Sequence, residues 1–157
     1  MQVTNILGRA LAAGALALAA AGVAPALAQT VGTTIAAGTS PYRIAINPVT
    51  NKLYVTNEAS NDMTVVDART GTTSTVAVGA RPLWLGVNPE TNKIYVAQFG
   101  NNTAAPHLVV VNGATNAVSS NVVVGDVGWI AINPVTNKIY TVRYGHTDEF
   151  TVTQDET

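Results

Sequence analysis

Beyond residue 36 the apolar residues fall in short runs of five or six, bounded by clusters of Asn, Pro, Gly and Asp. No window shows the 3.6-residue recurrence of an amphipathic helix. The runs are rich in Val, Ile, Thr and Tyr, which suit a pleated surface. An all-β chain is therefore predicted, with its first four strands at Tyr42–Ile46, Lys52–Thr56, Met63–Asp67 and Thr73–Val78. The connections carry their own chemistry. Asn47 is suited to accept backbone hydrogen bonds in an Asx-turn, Pro48 presets φ, and Asn51 tolerates the left-handed conformation. Asp67–Gly71 and Asn112–Asn116 read as hairpin turns. Leu108–Val111 and Asn121–Val124 are apolar on both faces, which predicts strands covered on both sides.

The first 28 residues follow a different pattern. Arg9 precedes a run, Ala10–Ala24, made only of Ala, Leu, Gly and Val. Pro25 breaks it, and Ala26-Leu27-Ala28 is the small-x-small site of a signal peptidase. Residues 1–28 are thus predicted to be a signal peptide, with Gln29 opening an exported domain over 29–157. The destination is the periplasm, the cell surface or the medium. A membrane anchor is the rival, but a run of Ala and Gly gains little from lipid. No later stretch is long enough to span a bilayer.

An eight-residue pattern is written three times. Asn47-Pro48-Val49-Thr50-Asn51-Lys52-Leu53-Tyr54 returns at Asn88–Tyr95 and again at Asn133–Tyr140, after intervals of 41 and 45 residues. A period near 40 with short strands is the range of a four-stranded propeller blade. Tyr54-Val55-Thr56-Asn57 resembles the tetrad that names the YVTN β-propeller repeat family, and Asn-Pro-x-Thr-Asn-Lys resembles its lead-in. Tyr95-Val96-Ala97-Gln98 and Tyr140-Thr141-Val142-Arg143 are looser copies. The resemblance implies blades of four antiparallel strands, labelled A to D from the axis outward, of the kind found in exported and surface-layer proteins of prokaryotes.

Three blades are predicted, over about 39–79, 80–125 and 126–157. Phe150–Gln154 is the last strand C, and residues 30–36 form a strand D that completes a blade. The family usually carries more blades, and closed propellers have four to eight. The chain is then an incomplete propeller, or half of a six-bladed ring formed as a homodimer by strand exchange, or a truncated product of a longer gene.

Charge and composition narrow the chemistry. The net charge is −1 and no Lys/Arg cluster exists, which excludes the footprint of a nucleic-acid binder. The absence of cysteine removes disulfides, thiolate metal sites and a cysteine nucleophile. No nucleophile motif or phosphate-cradling glycine loop is present. His107 and His146 lie in or beside B–C loops without metal-ligand spacing, so no metal, cofactor or catalytic residue is predicted. One position differs sharply between repeats. Four residues before each turn asparagine stand Arg43, Trp84 and Trp129, where the resemblance implies small residues. With Arg81 in a D–A loop, they are the candidate binding residues at the channel mouth; the alternative is that they plug the axis. A non-catalytic module recognising a protein, glycan or small ligand is expected. A lactonase-like or oxidoreductase-like propeller enzyme is the second reading, and it would need acids or histidines where strand A shows Ala, Ile, Arg and Trp.

Overall fold

Eleven strands and no helix make up the residues described by the computed structural model, which are 32–100, 107–123, 127–143 and 150–154. The strands are β1 (Pro41–Asn47), β2 (Lys52–Asn57), β3 (Asp62–Asp67), β4 (Thr73–Ala77), β5 (Pro82–Asn88), β6 (Lys93–Gln98), β7 (His107–Asn112), β8 (Val118–Val123), β9 (Val127–Asn133), β10 (Lys138–Arg143) and β11 (Phe150–Gln154). They form three antiparallel meanders, β1–β4, β5–β8 and β9–β11. This is an incomplete propeller of about three blades. Residues 1–28, expected to be a signal peptide, and His146 lie outside the described residues. The chain divides into two units, Met1–Thr34 and Ile35–Thr157; of the first, only residues 32–34 are described.

The turns form for the reasons their residues suggest. Asn47 Oδ1 accepts from the amides of Val49 (3.0 Å) and Thr50 (3.3 Å), and Asn133 Oδ1 accepts from Val135 (3.0 Å) and Thr136 (3.2 Å). Asn88 Oδ1 accepts from Glu90 at 3.1 Å. The turns close through Asn51, Asn92 and Asn137, with φ of 54°, 50° and 53°, a region asparagine tolerates better than most residues. On the outer hairpins, Asp67 takes the amides of Arg69 and Thr70 just as Asn112 takes those of Ala114 and Thr115.

Blades meet face to face along two seams. The first buries Tyr54, Met63, Val65, Val76 and Val78 of blade 1 against Ile94, Val96, Val109 and Val111 of blade 2. Burial there pushes the Tyr54 phenol pKa up, an effect the Thr50 hydroxyl partly offsets. The second packs Tyr95, Ala97, Leu108 and Val110 of blade 2 against Val127, Ile130 and Ile139 of blade 3. Asparagine amides cross both seams. Asn47 Nδ2 donates to Asn92 Oδ1 at 3.0 Å, and Asn88 Nδ2 donates to Asn137 Oδ1 at 3.1 Å. The first asparagine of each of the first two repeats is thereby tied to the second asparagine of the next.

Two expectations differ from the structure. β7 is buried along Leu108–Val111 as predicted, but β8 is exposed throughout, although Asn121–Val124 reads as covered on both faces. β8 is the outermost strand of blade 2, and blade 3 has no fourth strand among the described residues to lie against it. Residues 32–36 form no strand and are exposed.

Candidate functional site

Strand A is the innermost strand of each blade, since β1 packs beside β5 and β5 beside β9. All three inner strands share a defect in register. Pro41 pairs with Asn57 and Arg43 with Thr56, so Tyr42 is an extra residue. Leu83 is the extra residue between Pro82 and Trp84, and Gly128 between Val127 and Trp129. A bulge bends its strand and re-aims the side chains beside it. Each bulge here immediately precedes the residue that varies between repeats.

Those residues converge. The Arg43 guanidinium carbon lies 4.2 Å from the centroid of the Trp84 ring and 5.4 Å from those of Trp129 and Tyr42. Trp84 and Trp129 stack at 4.8 Å with a 47° tilt, and Tyr42 meets Trp84 edge-on at 5.7 Å. Such contacts lie within the range of favourable aromatic and cation–π geometry. Arg43 is exposed, Trp84 is half-buried, and Trp129 is 53% exposed. The indoles therefore offer surface at the axis. No ion pair to Arg43 exists among the described residues.

Arg81 sits apart from the stack but beside the same cleft, a space of about 220 Å³ lined by Tyr42, Arg81, Leu83, Trp84, Phe99 and Val127. Its guanidinium is held by Glu58 Oε1 at 2.8 Å and lies 5.0 Å from the Phe99 ring centroid. Its backbone is left-handed, at φ 51°, and its amide donates to Asn61 Oδ1 at 2.9 Å. Arg43, Trp84 and Trp129 were identifiable from their shared position in the repeat. Tyr42, Glu58 and Phe99 were not, because the bulge and the loop contacts that recruit them leave no periodic signal. His107 opens β7 and is half-buried. Among the described residues no three His, Asp or Glu side chains gather as metal ligands.

Chemically the arrangement is a platform of flat π-faces carrying a cation, Arg43, with no ion pair among the described residues. A guanidinium stacked on an indole keeps its N–H donors around its rim, in the plane, where a carboxylate can take two of them.

The architecture defines the class, a propeller-like all-β fold. Comparison with solved structures supports that class. The chain is similar to the hydrazine synthase of Kuenenia stuttgartiensis, with 24% identity and a TM-score of 0.66 over 82% of this chain and 35% of that one. It is also similar to a functionally unknown protein from Desulfotomaculum acetoxidans DSM 771, at 16% identity and a TM-score of 0.58, covering 69% of this chain and 35% of that one. A chain of a nidogen/laminin complex matches at 11% identity and a TM-score of 0.52, with 73% and 48% covered. At these identities the likeness carries the fold alone. The chain spans about a third to a half of the length of those structures. No family model matches the sequence, and no curated protein matches it.

Proposed function

We propose that this chain is an exported, non-catalytic propeller module of the YVTN repeat type that binds a protein, glycan or small ligand at its axial face. The observation that carries the reading is the stack of Arg43, Trp84 and Trp129, one residue from each blade, partly exposed and with no ion pair to Arg43 among the described residues. The features of such a ligand follow from the platform: a ring face to lie on an indole and an anionic group for Arg43. The repeat reading is supported by what its signature residues do. Tyr54 fills the first seam, Thr56 Oγ1 donates to the Leu83 carbonyl across that seam at 3.1 Å, and Asn57 Nδ2 ties down Asp62 and Thr64. Export rests on residues 1–28, and intact mass spectrometry of secreted protein is its test, with a chain beginning at Gln29 expected.

The site test uses the protein's own reporters, since Trp84 and Trp129 are its only tryptophans. Emission is titrated with uronic-acid oligosaccharides, aromatic carboxylates and acidic peptides in turn. A saturable change with one class, lost in Trp84→Ala and in Arg43→Met while circular dichroism is unchanged, is expected. Unfolding of Trp84→Ala with no probe moving the wild-type emission would mean that the aromatics plug the axis.

A further inference from the structure

The residue that follows Tyr54–Asn57 in blade 1 and Tyr95–Gln98 in blade 2 is Glu58 in the first and Phe99 in the second. Their backbones match. Glu58 N donates to the Ser40 carbonyl at 2.9 Å, as Phe99 N donates to the Arg81 carbonyl at 3.0 Å. Their side chains meet on one partner. Glu58 Oε1 accepts from Arg81 Nε at 3.1 Å and from Nη2 at 2.8 Å, while the Arg81 guanidinium carbon lies 5.0 Å from the Phe99 ring centroid. Asn61 Oδ1 holds the Arg81 amide as well, so Arg81 is fixed at both ends. A long and otherwise mobile side chain becomes a pre-organised wall between two blades.

That wall bounds the cleft beside the axial stack. Leu83 and Val127 are its most buried residues, at 9% and 1% exposure, and Tyr42, Trp84 and Phe99 give it aromatic sides. Its volume of about 220 Å³ bears on what can enter. An apolar cavity of about 150 Å³ is enough for benzene, and drug-sized ligands need about 300 Å³ or more. The cleft therefore suits one ring with a short chain. Its chemistry selects the kind of ring. No carboxylate or amide side chain lines it, and the guanidinium of Arg81, its one charged group, is paired with Glu58. The hydroxyls of a pyranose would give up water there with few acceptors in return. Three aromatic rings and a guanidinium plane favour a flat π-system instead. The anionic end is set on the other side of the same wall. Tyr42 and Trp84 line the cleft and also flank Arg43, whose guanidinium carbon lies 5.4 and 4.2 Å from their ring centroids.

We propose that this cleft is the ring subsite of the axial site, and that the ligand is a small arylalkanoate. Its ring sits among Tyr42, Leu83, Trp84, Phe99 and Val127, and its carboxylate lies on Arg43. The proposal rests on the axial-face reading and narrows it to an aromatic acid. Arg81 contributes a wall to the cleft and not the anion contact, because Glu58 takes up its charge.

Phenylpropionate is the probe, titrated against protein expressed from the full sequence with tryptophan emission as the readout. Three relatives each change one feature: phenylpropionamide lacks the charge, cyclohexylpropionate the flat ring, and glucuronate the apolar ring. The wild type should bind phenylpropionate about tenfold more tightly than the amide, the scale of a hydrogen bond to a charged group. It should bind the cyclohexyl acid about two- to tenfold more weakly than the aryl acid, the scale of an aromatic pair, and glucuronate most weakly of all. Arg43→Met should abolish the preference for acid over amide, and Arg81→Met should keep it. Phe99→Ala should weaken acid and amide alike, by about two- to tenfold. In the wild type, independently of any variant, nuclear Overhauser contacts should join the ligand's ring protons to the methyls of Leu83 and Val127. A complex without those contacts, a cyclohexyl acid that binds as well as the aryl acid, or an acid preference that survives Arg43→Met would overturn the proposal. Arg43-dependent binding of glucuronate or an acidic peptide, with none of phenylpropionate, would remove the ring subsite and leave the axial-face reading standing. Failure of every probe would remove both.

Discussion

The two seams are built from the same repeat and end up different. In the first, four strands face four, and Val76 and Val78 seal the outer end against Val109 and Val111. In the second, three strands face four among the described residues. Its inner part is as tight, with Ile139 fully buried and Leu108 at 1% exposure, but its outer part opens into a groove beside β11 and leaves β8 exposed. The inner strands and the asparagine bridges are present in both. What differs is the fourth strand, which determines whether the outer end of a seam excludes water.

The sharpest way to break that comparison is to make one cavity in each seam. Ile94 and Ile139 occupy equivalent positions and are both 0% exposed. Ile94→Ala should cost about 4 kcal/mol, near the upper end for such truncations, because its surroundings are closed. Ile139→Ala should cost about 2 kcal/mol, since it lines the groove and its neighbours can settle inward. Urea denaturation of the two variants measures the difference, and equal losses would mean that the fourth strand contributes nothing to packing at the inner end.

The next contrast uses the turn asparagines. Asn47 caps its own turn and bridges to Asn92 while fully buried, whereas Asn133 caps its turn in solvent. Asn47→Ala should cost about 2 kcal/mol and Asn133→Ala about 1 kcal/mol, because only the first also loses a bond to a partly buried partner, Asn92. Thermal melts of both variants check the order. A smaller effect is expected at the axis. Arg43→Met should lower stability by about 0.5–1 kcal/mol, the scale of an exposed cation–π contact, and raising the salt concentration should not abolish the difference if stacking dominates.

The smallest effect separates the two outer hairpins by pH. The amides of Arg69 and Thr70, with the first the larger influence, hold the Asp67 carboxyl below its ordinary range. A group with a lowered folded pKa stabilises above its unfolded value and loses that contribution as pH falls through the folded one. Asp67→Asn, which copies the Asn112 hairpin, should therefore match the wild type in acid. Its midpoint in urea should fall slightly below the wild type's from about pH 4 upward.

The strands were legible in the sequence because turn chemistry recurs with the repeat. Tyr42–Ile46 became Pro41–Asn47 and Met63–Asp67 became Asp62–Asp67, shifts of one residue at the ends. The axial residues were legible for the same reason: Arg43, Trp84 and Trp129 share one register. Three features were not. The bulges at Tyr42, Leu83 and Gly128 share no residue type, so nothing local marks them. The Asn47–Asn92 bridge joins residues from different repeats, each of which already has a sufficient role in its own turn. The exposure of β8 reflects the lack of a facing fourth strand among the described residues, which a strand's own residues cannot report.

The repeated bulge also bears on how such a chain can diverge. By adding one residue at the same place in each inner strand, it separates the side chain at the axis from those that hold the seams. Duplicated blades can then accept Arg in one copy and Trp in two others while the turn asparagines and the Tyr at the end of each repeat stay the same. New recognition surfaces can arise from a single substitution per copy, with the cost to folding confined to a position the scaffold has already set aside.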